Sequence, residues 1–195
     1  MAIESHTMSI LSRIIECKKR HCPLLAVLID PNKPTVYQTI LPYLQEVDLV
    51  FVGGSTGESI EPCISTLREY TNTPLVLFPG NIAQFSPHAD ALLFLSLLNA
   101  RDADMLITPH IKVAKQVLQS GIESIPMGYI LLDGERISSV EKVSRCVPIL
   151  QNDVDHIVAT ALAGQILGKQ LIYLEAGSGA KKVVSRAERD GQAKF

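Results

Sequence analysis

The sequence predicts an α/β protein in which short apolar strands alternate with helices to build a parallel sheet, and three observations carry this. An apolar run, a polar or glycine turn and a stretch of helical spacing recur in that order, giving six strand candidates along the chain. The runs lack the alternation of a half-exposed strand, as strands covered on both faces do. Polar residues interrupt them at their carboxyl ends, where parallel α/β folds place ligand sites. These features predict a TIM (β/α)8-type barrel that is incomplete, with about six of the eight strand–helix units in 195 residues. A closed barrel commonly takes about 250. An open doubly wound sheet uses similar units, but no Gly-x-Gly-x-x-Gly follows the first run.

In order, residues 9–20 carry Ile10, Leu11, Ile14 and Ile15 at helical spacing, and Pro23 stops that helix. Residues 24–29 form the first strand, ending in Asp30-Pro31-Asn32-Lys33. Pro34 suits a helix's first turn, and Tyr37, Ile40, Leu41 and Leu44 continue the helical spacing. Residues 48–52 are the second strand, closed by Gly53-Gly54-Ser55, and a helix follows through Ile60, Ile64, Leu67 and Tyr70. The third strand, 74–78, closes in Pro79-Gly80-Asn81. The next link is barely long enough for a helix and carries Pro87, which points to an irregular segment.

Residues 90–95 give a fourth strand, and 104–120 a helix with a break near Pro109. A fifth strand at 127–132 opens into the turn Asp133-Gly134, and 140–147 reads as a further short extended piece. Asp153 caps an alanine-rich helix over 154–167 that Gly168 ends. Residues 171–175 are the sixth strand, closed by Ala176-Gly177-Ser178-Gly179-Ala180. No comparable strand follows, so the expected organisation is a barrel domain over 1–184 and a polar tail over 185–195.

Composition excludes several classes. With 47% hydrophobic and 19% charged residues the chain is globular rather than disordered, and a net charge of -2 offers no basic field for nucleic acid. Lys18, Lys19 and Arg20 suit the carbonyl end of a helix dipole. The first helical stretch is too short for a membrane span, which with four cysteines lacking zinc-site spacing leads to the expectation of a cytoplasmic protein with free, mostly buried thiols.

Several strand ends carry residues suited to chemistry. Asp30 offers a hard carboxylate of the kind magnesium takes beside substrate phosphates, with Ser55 as a second oxygen, although aspartate before proline is also a common turn former. Gly177-Ser178-Gly179 resembles a phosphate nest leading into a helix start. Glu175 could accept a hydrogen bond from a ligand hydroxyl or act as a general base, with a glutamate held by a lysine as the plainer alternative. Tyr129 and Tyr173 could bring hydroxyls to a pocket or serve as core rings, whereas His110, His156 and Lys112 read as structural or exposed.

Six pieces together resemble a known family: Leu28 to Lys33, Phe51 to Ser55, Leu77 to Asn81, Leu95 to Asn99, Pro126 to Ile130 and Tyr173 to Ala180. They are similar to geranylgeranylglyceryl phosphate synthase and its relatives, including heptaprenylglyceryl phosphate synthase. That resemblance implies a (β/α)8 barrel whose third helix is replaced by an irregular segment. It implies a prenyltransferase that joins sn-glycerol 1-phosphate to a polyprenyl diphosphate through an ether bond, releases diphosphate and uses magnesium (Mg2+).

By position, Asp30 and Ser55 match the family's magnesium residues, and Tyr173, Leu174, Glu175, Ala176, Gly177, Ser178 and Gly179 its glycerol-phosphate segment. Glu175 matches the residue that orients or deprotonates the glycerol hydroxyl, and Asn32 stands where many relatives have a second aspartate. The resemblance further implies a homo-oligomer and two more strand–helix units with phosphate-binding glycine turns, which the sequence after Val184 does not resemble. Other readings of the same pattern are a sugar-phosphate isomerase or aldolase on a similar barrel, and a non-catalytic fragment of the synthase.

Overall fold

A computed structural model of the chain describes residues 8–33, 38–54, 59–81 and 84–184. Six parallel strands stand in the sheet in chain order, the strand–helix alternation of a TIM-barrel-type fold. The chain forms two compact units, Met1–Leu93 with Gln116–Ser124, and Phe94–Lys115 with Ile125–Phe195.

In the first unit, helix α1 (Ile10–Lys19) starts at Ser9, whose hydroxyl accepts the Ser12 amide. The free amides of Ile10 and Leu11 donate to the Glu123 carboxylate at 2.8 and 2.9 Å, a negative group at the positive end of a helix. Strands β1 (Ala26–Ile29), β2 (Leu49–Val52) and β3 (Leu75–Leu77) pair in parallel, Ala26 opposite Leu49 and Val50 opposite Leu75. Asp48 anchors the entry to β2, taking the Arg13 guanidinium on one oxygen and the Leu25 amide on the other.

Part of the helix predicted after Pro34 lies outside the described residues; Gln38 is still helical, but Leu41–Glu46 is a 3-10 turn rather than an α-helix. Leu41 and Leu44 are both buried, and a spacing of three suits the 3-10 period; Pro42 has no amide to extend an α-helical ladder. Helix α2 (Glu61–Tyr70) buries Cys63, Ile64 and Leu67. The link ahead of β4 has no regular structure in its described residues, as its length predicts. Asp90 closes it, accepting from the Leu75 amide at 2.7 Å and Arg68 at 2.6 Å.

Strand β4 (Ala91–Leu97) runs past its predicted end, and its last four residues belong to the second unit. The predicted long helix is two, α3 (Ala103–Leu106) and α4 (Thr108–Ser120), parted at Ile107 just before Pro109. Proline at the second position of α4 forfeits no helical hydrogen bond. Strand β5 (Glu123–Leu131) begins four residues before its predicted start, and Pro126 does not stop it because its carbonyl still accepts the Gln170 amide at 2.8 Å.

The extended piece predicted over 140–147 is instead helix α5 (Ser139–Ser144). A reciprocal cap between Ser138 and Glu141 explains the difference, and its Ser-x-x-Glu spacing was present in the sequence. Asp153 caps helix α6 (Val154–Ile166), Gly168 ends it at φ +89°, and strand β6 (Leu171–Glu175) pairs with β5, Tyr129 opposite Tyr173.

The second unit's core packs Ile130, Leu132, Ile149, Ile157 and Ala161 against Leu98, Ile172 and Leu174. Gly128 and Gly164 make room for it: a Cβ on either would lie 2.6 Å from the Leu98 Cδ1. Two of the four thiols, Cys63 and Cys146, are buried, whereas Cys22 is exposed. Among the described residues no helix is long and apolar enough to cross a membrane.

Two buried polar side chains tie β4 to its surroundings. Asn99 donates through Nδ2 to the carbonyls of Leu131 and Val147 and accepts the Leu131 amide on Oδ1. Replacing it with leucine leaves three backbone groups without that partner, and Asn99→Leu is expected to destabilise the protein by about 2–4 kcal/mol in urea unfolding. His110 faces the Leu95 carbonyl at 2.6 Å, so its Nε2 carries the proton, and its ring lies 4.4 Å from that of Phe94.

Burial holds the His110 imidazole below its ordinary range, with the Leu95 carbonyl opposing that shift. The unfolded chain therefore binds the proton more readily. Stability on this account is complete above about pH 6.5 and falls as pH drops towards the folded-state value. His110→Phe is expected to flatten the pH dependence of the urea midpoint below about pH 6.5; an unchanged slope would refute that origin.

Candidate active site

In the first unit, the ends of β1, β2 and β3 meet around two glycines. The chain leaves β1 at Asp30, whose Oδ1 accepts the Asn32 amide at 3.0 Å while Oδ2 faces the Lys33 ammonium at 3.2 Å. The turn-forming role and a partly exposed, ion-paired carboxylate therefore coexist in one residue. After β2, a Cβ on Gly53 would sit 1.8 Å from the Phe78 carbonyl oxygen, and one on Gly54 would sit 2.5 Å from Asp30 Oδ1. The Gln84 side-chain oxygen accepts the Gly54 amide at 3.3 Å and the Gly80 amide at 2.7 Å. Ser55, the second predicted metal residue, lies outside the described residues.

The donor chemistry suits magnesium. No group of three or more His, Cys, Asp or Glu residues among those described could cage an ion. Asp30 supplies one hard carboxylate with a replaceable counter-ion, since the Lys33 side chain is 60% exposed. Magnesium characteristically takes one or two carboxylates and completes its shell with water and substrate phosphates. Cys63 lies within the field of Asp30; burial first and that carboxylate second push its thiol up to about 11, so it stays protonated at neutral pH.

In the second unit, the two-residue period of β6 brings Tyr173 and Glu175 to one face. The Tyr173 hydroxyl donates to Glu175 Oε2 at 2.9 Å, and the Gly177 amide donates to Oε1 at 3.0 Å. Among the described residues Glu175 is thus held by neutral donors rather than by the lysine considered from the sequence. Tyr129 lies in register with Tyr173, their ring centroids 5.4 Å apart. Burial, with the Glu175 carboxylate second, drives both phenols well above their ordinary range, so they stay protonated.

Gly177 and Gly179 have φ of +93° and +73°, which only glycine adopts without strain. A Cβ on Gly177 would lie 2.5 Å from that of Ser138, and one on Gly179 would lie 2.9 Å from Arg136 Nη1. The helix start expected after this turn is absent among residues described as far as Val184; Lys181 instead donates its amide to the Gly134 carbonyl at 2.9 Å. Within the predicted glycerol-phosphate segment, the Leu174 side chain packs into the core and Ala176 is buried, leaving Tyr173, Glu175 and the turn 177–179 as its polar part.

Other strand-end candidates have structural partners. Asn99 knits backbone, and the Ser96 hydroxyl accepts from the Lys169 ammonium at 2.8 Å. Sequence reasoning missed Gln84 and Arg136, neither of which belongs to a recognisable motif. The signal for Arg136 was its place two residues after the Asp133-Gly134 turn.

The PcrB family pattern matches residues 13–191. The chain belongs to the PcrB family. Geranylgeranylglyceryl phosphate synthase of Zunongwangia profunda is 46% identical over 191 residues, covering 93% of this chain and 82% of that protein. The enzyme of the same name from Flavobacterium johnsoniae is 43% identical over 183 residues, covering 90% and 75%.

Among solved structures, wild-type GGGPS from Thermoplasma volcanium superposes with a TM-score of 0.84 at 32% identity, covering 96% of this chain and 78% of that one. The Thermoplasma acidophilum (S)-3-O-geranylgeranylglyceryl phosphate synthase, solved with its substrate sn-glycerol-1-phosphate, gives 0.85 at 28% identity, covering 95% and 77%. These PcrB-family and synthase relatives carry the fold that the strand–helix pattern predicted.

The two glycines after β2 make different predictions. A methyl on Gly53 meets backbone that cannot turn aside, so Gly53→Ala is expected to cost more than about 2 kcal/mol in urea unfolding. A methyl on Gly54 meets the end of the Asp30 side chain, which can rotate. Gly54→Ala is therefore expected to be the milder change in stability and to displace the Asp30 carboxylate in a crystal structure of the variant. Equal destabilisation with Asp30 unmoved would contradict this assignment.

Proposed function

We infer that this chain is a prenyltransferase that joins a polyprenyl diphosphate to sn-glycerol 1-phosphate, forming an ether-linked prenylglyceryl phosphate and releasing diphosphate. The observation that carries the reading is the carboxylate of Glu175, fixed by the Tyr173 hydroxyl and the Gly177 amide at the mouth of a glycine-rich turn. The family membership supports the reaction class, and the Thermoplasma acidophilum relative supports the acceptor.

In this mechanism the glycerol hydroxyl oxygen bonds to the first prenyl carbon while that carbon's bond to diphosphate breaks with its electron pair. The hydroxyl proton passes to Glu175. Tyr173 and Gly177 occupy one direction of each carboxylate oxygen and so leave the others aimed, which places the acceptor without reorganisation at the moment of transfer. The positive-φ turn at Gly177 and Gly179 lets the chain approach the glycerol phosphate closely. Asp30, together with Ser55 by its place in the sequence, would hold Mg2+. Bound there, the ion would neutralise charge on the departing diphosphate.

The test is transfer of radiolabelled sn-glycerol 1-phosphate to geranylgeranyl diphosphate with Mg2+. Glu175→Gln keeps the shape but cannot take the proton, and is expected to lower kcat by about 10²–10⁴-fold while leaving KM for the prenyl donor near its original value. Full turnover in that variant would remove Glu175 from the chemistry. No transfer by the unaltered chain with prenyl donors of several lengths would overturn the reaction itself.

A further inference from the structure

One interaction in the first unit joins three strand ends that the reaction reading treats separately. Gln84 is 1% exposed and comes from the irregular link after β3, where its amide donates to the Asn81 carbonyl at 3.2 Å. Its side chain turns back so that one atom receives the amides of Gly54 at 3.3 Å and Gly80 at 2.7 Å. Two N–H donors converging on a single atom fix that atom as the oxygen of the carboxamide. Gly54 in turn lies against Asp30, close enough that a Cβ would be 2.5 Å from Oδ1 and 3.3 Å from Oδ2. The link therefore reaches the Asp30 carboxylate through one buried oxygen and one glycine.

We propose that Gln84 is a positioning residue for the metal and diphosphate half of the site, setting the place of Asp30 through the amides of Gly54 and Gly80. The inference rests on the reading of Asp30 as the magnesium ligand. The two amides are only partly covered, but their shared acceptor is buried, so no solvent competes at the Gln84 side chain. Without the Gln84 oxygen, Gly54 and Gly80 lose the acceptor that ties their two strand exits together and are free to shift. The glycine wall beside Asp30 moves with them, and the carboxylate loses its fixed place although no ligand atom has been removed. Outer partners of this kind commonly alter metal affinity by about 10–100-fold.

The test is calorimetric titration of the full chain with inorganic diphosphate and Mg2+ together, and separately with sn-glycerol 1-phosphate. Gln84→Met, similar in length but without the acceptor, is expected to weaken magnesium diphosphate binding by about 10–100-fold. Binding of sn-glycerol 1-phosphate is expected to stay within about twofold, and KM for the prenyl diphosphate to rise alone. Gln84→Asn, which withdraws the oxygen by one methylene, serves if the methionine variant does not fold.

Unchanged diphosphate binding in the variant overturns the proposal. So does tighter binding, which would make Gln84 a competitor for amides that the diphosphate itself uses, and so does an equal loss of both ligands, which would reduce it to general stability. Failure of the unaltered chain to bind magnesium diphosphate also overturns it, together with the metal half of the reaction reading. If the binding loss is selective but the chain transfers no prenyl group, the reaction reading falls and the role of Gln84 stands.

Discussion

A side chain at Gly53 or Gly134 cannot coexist with the carbonyl oxygen that ends the neighbouring strand. Gly53 follows β2 and faces the Phe78 carbonyl just past β3, at 1.8 Å for a built Cβ. Gly134 follows β5 and faces the Ala176 carbonyl just past β6, at 2.1 Å. The same device thus appears in each unit: a glycine after one strand lets the backbone leaving the next strand press against it. In each unit this brings adjacent strand exits within hydrogen-bonding distance, which is the precondition for the polar groups beside them. Gly54 and Gln84 follow from the first approach; Ser138, Gly177 and the Lys181 amide follow from the second.

The strands were legible because they are continuous apolar runs with polar ends, and β6 (Leu171–Glu175) is observed with its predicted bounds. What was misread has local causes. Residues 140–147 contain Val140, Val143 and Val147, β-branched residues compatible with an extended piece, yet the Ser138 and Glu141 cap determines a helix. At Leu41–Glu46 the apolar spacing of three satisfied a helical template of 3.6 and a 3-10 turn alike, and Pro42 was the only clue to which. The early start of β5 was not legible because the Gln170 amide that the Pro126 carbonyl accepts leaves no trace in the local sequence.

The candidate site was legible only at single residues. Asp30, Tyr173 and Glu175 stand at strand ends, and strand ends can be found from hydropathy. Their partners cannot, because those are set by approaches between loops distant in sequence. The Asp30 contact depends on Gly54, and the Gly54 amide depends on Gln84, thirty residues away in the chain. A glutamine in an irregular link carries no pattern of its own. Its meaning arises from the two glycine amides that the backbone presents to it.

The two carboxylates differ in what balances their charge, and the difference fits different work. Asp30 faces a cation, Lys33, and one turn amide, so its partner can be exchanged for another cation without leaving the carboxylate alone. Among the described residues Glu175 has no ion pair and is held by a phenol and an amide. Neutral donors fix the direction of a carboxylate without placing a counter-charge on it, so both oxygens keep lone pairs for a substrate hydroxyl. The raised phenols add to this: a tyrosine that resists ionisation keeps donating to Glu175 and does not become a second anion beside it. Burial of the ring pair is therefore part of how the carboxylate is kept available, since a more exposed Tyr173 would exchange its hydrogen bond with water and free Glu175 to rotate.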